Sequence, residues 1–240
     1  MIYAGISEQG KRERNEDMLF LPKKGEVSLV IVADGMGGHN AGRTASRIAV
    51  ETASARVIRG GGLPPEALLR EAAQEANQAI YDHAHKVREC RGMGTTMVMA
   101  LLFRSHFIAA NIGDSRLYHY KDGRLIQITR DHSYVAEMVA AGYITPEQAL
   151  THPQRNIITS ALGAREMEKM DIFDNAWKEN DILLLCSDGL YTALDAKEME
   201  RVLKEEQDLQ AACTTLAQLA SYGSSDNITV ALVKNNEEAC

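Results

Sequence analysis

A chain of 240 residues buries enough surface to fold without disulfide or zinc staples, and 45% hydrophobic with 25% charged residues is the make-up of a globular protein. Thirty-three acidic against 26 basic residues leave a net charge of -7, the wrong sign for gripping phosphate backbones, so nucleic acid is not an expected partner. The longest apolar runs, such as Ile182 to Cys186 and Met97 to Phe103, fall far below the ~20 residues of a membrane span, and Met1 to Ala4 opens no signal-peptide pattern. Cys90, Cys186, Cys213 and Cys240 lie far apart with no CxxC pair, so a cytoplasmic protein without disulfides, thiolate zinc or membrane contact is expected.

Taken in chain order, β-branched and apolar runs predict strands over Ile2 to Ser7, Met18 to Leu21 and Ser28 to Ala33. Helical spacing follows over Ala41 to Ile58 and Pro64 to Lys86, two helices long enough to pack as a pair. Strands are expected next at Thr95 to Phe103, Phe107 to Ile112, Arg116 to Lys121 and Leu125 to Thr129, with a hairpin turn at Lys121-Asp122-Gly123. The polar, mixed stretch from Ser133 to Ile157 reads as a surface excursion with short helices at most. A strand over Asp181 to Cys186, helices over Ala196 to Glu206 and Leu209 to Tyr222, and a strand over Asn227 to Val233 complete the chain. Helices inserted between antiparallel-looking strand runs favour an α+β layered sandwich over a doubly wound sheet, and the absence of any linker or repeat favours a single domain over residues 1–240.

The informative feature is where carboxylates fall. Asp34-Gly35 follows the run Ser28 to Ala33, and Asp188-Gly189 follows Asp181 to Ser187. Asp114 follows Phe107 to Gly113, Asp226 stands just ahead of Ile228 to Val233, and Glu16-Asp17 abuts Met18 to Leu21. Two carboxylates ~4 Å apart repel by about 4 kcal/mol at an effective dielectric near 20, so something cationic must offset them. Arginine or lysine partners could do so, or shared divalent cations, and all-oxygen ligation selects hard ions such as Mg²⁺ or Mn²⁺ over zinc. Taken singly, an Asp-Gly after a strand is more often a turn; five strand ends of this kind are harder to dismiss. A rival lies in Gly37-Gly38-His39-Asn40-Ala41-Gly42-Arg43-Thr44, which nearly satisfies the GxxxxGK[ST] phosphate loop but has Arg43 where lysine is required. Met93, Met97 and Met99 read as core filling.

Eight segments carry a family resemblance: Gly10 to Asp17, Val32 to His39, Gly94-Thr95-Thr96, Asn111 to Arg116, Asp131-His132-Ser133, Ile158 to Gly163, Leu185 to Leu190 and Ser225 to Thr229. Together and in this order they resemble the motifs of the metal-dependent type 2C protein serine/threonine phosphatases in their short bacterial form. The resemblance implies a central antiparallel β-sandwich flanked by helix pairs, a four-layer αββα arrangement, with a two-metal centre at one end and a flap at about 133–157. It implies that Asp34 bridges two Mn²⁺ or Mg²⁺ ions, that the Gly35 carbonyl completes one, and that Asp188 and Asp226 hold the other. Glu16 and Asp17 would act mainly through bound water, Asp114 with Asp188 would hold a third, weaker cation, and Arg12 would grip the substrate phosphate. His39 would either protonate the leaving oxygen or shape the loop. The implied reaction is hydrolysis of phosphoserine and phosphothreonine by a water activated between two metals, on phosphorylated proteins that a eukaryotic-like kinase produces, by a monomer in bacterial signalling. Many bacterial relatives have arginine where Ser160 stands, so a basic contact near the flap is expected to be missing. A binding module that kept the fold and lost turnover is the alternative, and the complete aspartate set argues against it.

Overall fold

The computed structural model describes residues 1–37, 41–164 and 169–236. One sheet takes β1 (Ile2–Glu8), β11 (Ile228–Lys234), β10 (Ile182–Cys186), β7 (Arg116–Lys121) and β8 (Arg124–Gln127) in that spatial order. The other takes β2 (Asp17–Phe20), β3 (Leu29–Met36), β5 (Met97–Leu102), β6 (His106–Ile112) and β9 (Asp171–Ala176), with the short β4 (Gly94–Thr95) pairing the far end of β3. Every pairing is antiparallel.

Residue parity along each strand divides the apolar residues among three cores. On β3, Leu29, Ile31 and Ala33 face the long helices α1 (Ala41–Arg59) and α2 (Pro65–Lys86), whereas Val30 and Val32 face the opposite sheet. On β10, Ile182, Leu184 and Cys186 face α5 (Asp188–Tyr191), α6 (Ala196–Glu205) and α7 (Leu209–Gly223), while Leu183 and Leu185 turn inward. Two helical layers outside two sheets make the four-layer α+β sandwich expected from sequence. Small residues let the helices approach closely: Ala45, Ala49 and Ala53 of α1 are buried, and a Cβ added at Gly42 would sit 2.8 Å from the Gly35 carbonyl carbon. Helix α1 therefore seats its first turn directly on β3 behind Asp34. Over the other sheet, α6 and α7 start at side-chain caps, Asp195 and Asp208.

Observed element bounds follow the expected ones within a residue or two, with three differences. Strand β3 runs on through Asp34 and Gly35 to Met36, because β2 partners Asp34 and β4 partners Gly35 and Met36. Asp188-Gly189 opens a single helical turn where no helix was expected. Strand β9 was not expected: Asp171, Asp174 and Asn175 are poor strand formers, and they are tolerated on an edge strand bonded to β6 alone. The excursion after β8 contains α3 (Tyr134–Ala140) and α4 (Pro146–Leu150). Its two ends are tied by a Ser133–Ile158 bridge and by Tyr134 N–H donating to the Ile157 carbonyl at 2.8 Å.

Candidate metal centre

At one end of the sandwich the inward-facing positions change from aliphatic to oxygen-bearing. The inner series Val30 and Val32 continues to Asp34 on β3, and Leu19 continues to Asp17 on β2. Leu183 and Leu185 continue to Ser187, and Ala231 and Val233 are preceded by Thr229. Asp17 and Asp34 are direct cross-strand partners, an arrangement that places like charges about 5 Å apart at Cβ and disfavours pairing unless it is compensated. The loop ahead of β11 brings in Asp226, the first turn of α5 brings Asp188, and the turn after β6 brings Asp114.

Burial dominates the electrostatics of this cluster. Burial first, then the charges of Asp17, Asp188, Asp114 and Asp226, hold the Asp34 carboxyl well above its ordinary value. Burial pushes Asp17 up to about 7 against the opposing pull of Thr229 and Ser187 hydroxyls. Burial, Asp188 and Asp131 raise Asp114 to about 7, and burial with Asp226 raises Asp188 to about 6. The five aspartates therefore share one electrostatic environment, Asp226 through its charge on Asp17, Asp34 and Asp188.

The backbone around Asp34 is fixed on both sides. Its N–H donates to Thr96 Oγ1 at 3.0 Å, and its carbonyl accepts from Thr96 N–H at 2.9 Å and Thr95 Oγ1 at 2.8 Å. Gly35 has no room for a side chain: an added Cβ would lie 2.2 Å from the Gly42 carbonyl oxygen. The Asp114 turn is held by Asn111, which donates to the Gly113 carbonyl, and by His132 Nδ1, which accepts from Gly113 N–H at 3.3 Å. Arg116, two residues on, forks onto Asp131 at 2.6 to 3.1 Å and stacks over Tyr191, so its charge is directed to Asp131. Arg12 reaches in from the β1–β2 loop, 58% exposed, and its Nη2 donates to Asp226 Oδ2 at 2.6 Å. His39 lies outside the described residues.

A network missed from sequence supports Asp17. Its Oδ2 accepts from Ser187 Oγ and from Thr229 Oγ1, both at 2.7 Å, while Ser7 Oγ lies 2.8 Å from Thr229 Oγ1 and accepts from Asn15 Nδ2 at 2.9 Å. Asn227 ties the Glu16 strand to the loop by accepting from Glu16 N–H and donating to the Gln9 and Arg14 carbonyls. Strand parity is the signal that could have found the hydroxyls, since each occupies an inner position beyond the last aliphatic residue.

The donor set suits a hard divalent cation. Among the described residues, the buried side-chain oxygens without a hydrogen-bond partner are Glu16 Oε1, Asp17 Oδ1, Asp188 Oδ1 and Asn111 Oδ1, three of them carboxylate oxygens of this cluster. No three His, Cys, Asp or Glu side chains among the described residues already close around one point. Arg12 on Asp226 and two hydroxyls on Asp17 account for oxygens that such a shell would need.

The family model for protein phosphatase 2C matches residues 4–228. A serine/threonine phosphatase of Listeria welshimeri is 41% identical over 231 residues, covering 94% of this chain and 92% of its own. The crystal structure of the Mycobacterium tuberculosis serine/threonine phosphatase PstP/Ppp superposes with a TM-score of 0.89 at 35% identity, covering 98% of this chain and 99% of that one. The catalytic domain of a serine/threonine phosphatase PstP in complex with two manganese ions gives 0.86 at 33% identity and 97% coverage of both chains. A buried aspartate cluster on the inner faces of an antiparallel αββα sandwich, matched over nearly the whole chain, places this protein in the protein phosphatase 2C family.

Proposed function

We propose that this chain hydrolyses phosphoserine and phosphothreonine in proteins, with Asp34, the Gly35 carbonyl, Asp188 and Asp226 holding two Mn²⁺ or Mg²⁺ ions, Asp17 supporting them, and Asp114 with Asp188 holding a third. The protein is a metal-dependent serine/threonine phosphatase by family. The observation that carries the residue assignment is the carboxylate cluster itself: burial and mutual repulsion raise four aspartates, and unpartnered oxygens remain within it.

Held by these residues, divalent cations would supply a water acidic enough to ionise near neutral pH and charge neutralisation for the transferring phosphoryl group. The chain's own groups supply the rest. Asp17, held on one oxygen, keeps the other directed at the cluster. Arg12, exposed at the rim, can exchange its bond to Asp226 for a bidentate grip on two phosphate oxygens, which fixes the ester for attack. His39 is the candidate proton donor to the departing serine or threonine oxygen. Residues 133–157 act as a flap beside the site within one phosphatase domain. Phosphorylated products of a eukaryotic-like kinase are the substrates, and the enzyme works as a cytoplasmic monomer; among the described residues no helix is long and apolar enough to cross a membrane.

Hydrolysis of p-nitrophenyl phosphate and of a phosphothreonine peptide should require Mn²⁺ or Mg²⁺ and stop in EDTA. Turnover that persists in EDTA at a metal-free baseline would overturn the proposal.

A further inference from the structure

A cleft of about 400 Å³ opens beside the aspartate cluster, walled chiefly by Met36, Met93, Gly94, Ile158, Ala161 and Leu162. Its size falls within the range of side-chain and ligand pockets. None of the described residues that wall it carries a charge. The hydroxyls in the wall are engaged elsewhere: Ser160 Oγ donates to the Lys169 carbonyl at 3.0 Å and Thr159 Oγ1 to Glu137 Oε1 at 2.7 Å. The side chains that remain in the wall are aliphatic and thioether, set among backbone polar groups.

The wall is preformed. Leu162 and Thr95 exchange two backbone hydrogen bonds at 2.9 and 3.1 Å. Asn77 of α2, itself buried, accepts from Gly163 N–H at 2.7 Å and donates to the Ala164 carbonyl at 3.0 Å. The cleft also lies near the aspartate cluster, since Met36 in its wall stands two residues beyond Asp34 on the same strand and pairs with Gly94. At ~3.3 Å per residue that is ~7 Å along β3, the reach of one or two residues of an extended peptide. On its far side the apolar surface runs onto the flap stem, where Ile157 and Tyr134 are 46% and 38% exposed.

We propose that this cleft is a specificity subsite that takes an aliphatic or aromatic side chain of the substrate protein, one or two residues from the phosphorylated serine or threonine. The proposal rests on the phosphatase reading above. It is tested with phosphothreonine peptides that differ only in placing Leu, Ala, Asp or Lys at each of the two positions on either side. At one of these positions Leu should exceed Ala by about tenfold in kcat/KM, with Asp lower still. Ala161→Glu should remove the preference for Leu and favour Lys, and Ala161→Lys should favour Asp; opposite swings do not arise from a general loss of folding. p-Nitrophenyl phosphate, which has no neighbouring side chain, separates the two levels of the argument. If it is hydrolysed with Mn²⁺ while the peptide profile is flat, or if both Ala161 variants keep the preference for Leu, the subsite is overturned and the activity stands. A flat profile joined to dimerisation in sedimentation would reassign the cleft to a second copy of the chain. Failure to hydrolyse any phosphoester would overturn the phosphatase reading and the subsite with it.

Discussion

Replacing Asp114 with asparagine should stabilise the ion-free protein, and the effect should depend on pH. Asp114 is 9% exposed, and burial with the charges of Asp188 and Asp131 carries its carboxyl from an ordinary 3.8 to about 7. Between those values the folded protein keeps a proton that the unfolded chain has released. Stability therefore falls as pH rises through that window, the cost of this one group being absent below about 4 and complete above about 7. The whole cost is about 4 kcal/mol at 1.36 kcal/mol per pH unit. Relaxation and water entry reduce such costs, but even ~2 kcal/mol moves the Tm of a chain this size by ~4–8 °C. Calorimetric melting of wild type and Asp114→Asn in EDTA at pH 8 and pH 5 reads this directly. The variant should melt higher at pH 8, and the gap should shrink by more than half at pH 5. Equal melting points at pH 8, or a gap indifferent to acid, would refute the reasoning that the cluster is a store of uncompensated charge.

Arg12→Ala should lower kcat/KM on a phosphopeptide by about 10- to 100-fold, as loss of a charge-assisted fork to phosphate of about 1.5–3 kcal/mol implies. Mn²⁺ binding should hold or tighten because Asp226 is released, and unchanged kinetics would remove Arg12 from phosphate binding. Thr229→Val deletes one of two hydroxyl donors to Asp17 and should weaken Mn²⁺ affinity, measured by titration calorimetry, by about tenfold, with Thr229→Ser restoring it. A folded Thr229→Val protein with wild-type affinity would show that the hydroxyl chain does not orient the carboxylate. Gly189→Ala should abolish soluble expression or cost several kcal/mol in urea unfolding, since its Cβ would fall 1.9 Å from the Asn227 carbonyl oxygen; a variant as stable as wild type would mean that the loop can yield.

Much of the site was legible because Asp34 and Asp188 each stand beside a long apolar run, and runs of that kind advertise buried strands. Asp226 ahead of β11 was readable for the same reason. The hydroxyls of Ser187, Thr229 and Ser7 were not, because an isolated Ser or Thr near a strand end looks solvent-facing until pairing fixes which parity points inward. Pairing also explains the remaining misses. Strand β9 exists through its partner β6 rather than through its own composition, and β3 outruns its apolar residues because β2 pairs Asp34 and β4 pairs Gly35 and Met36. The β6–β9 and β3–β4 pairings join residues about 60 positions apart and leave no trace in a local window.

The tied ends of the 134–157 excursion have an evolutionary corollary. Because Ser133 meets Ile158 and Tyr134 meets Ile157, the chain leaves and re-enters the sandwich through a closed neck. Everything beyond that neck can be lengthened, shortened or exchanged without disturbing strand register below it. A lineage with this neck can then rewrite two dozen residues while inheriting the sandwich that carries the aspartates unaltered.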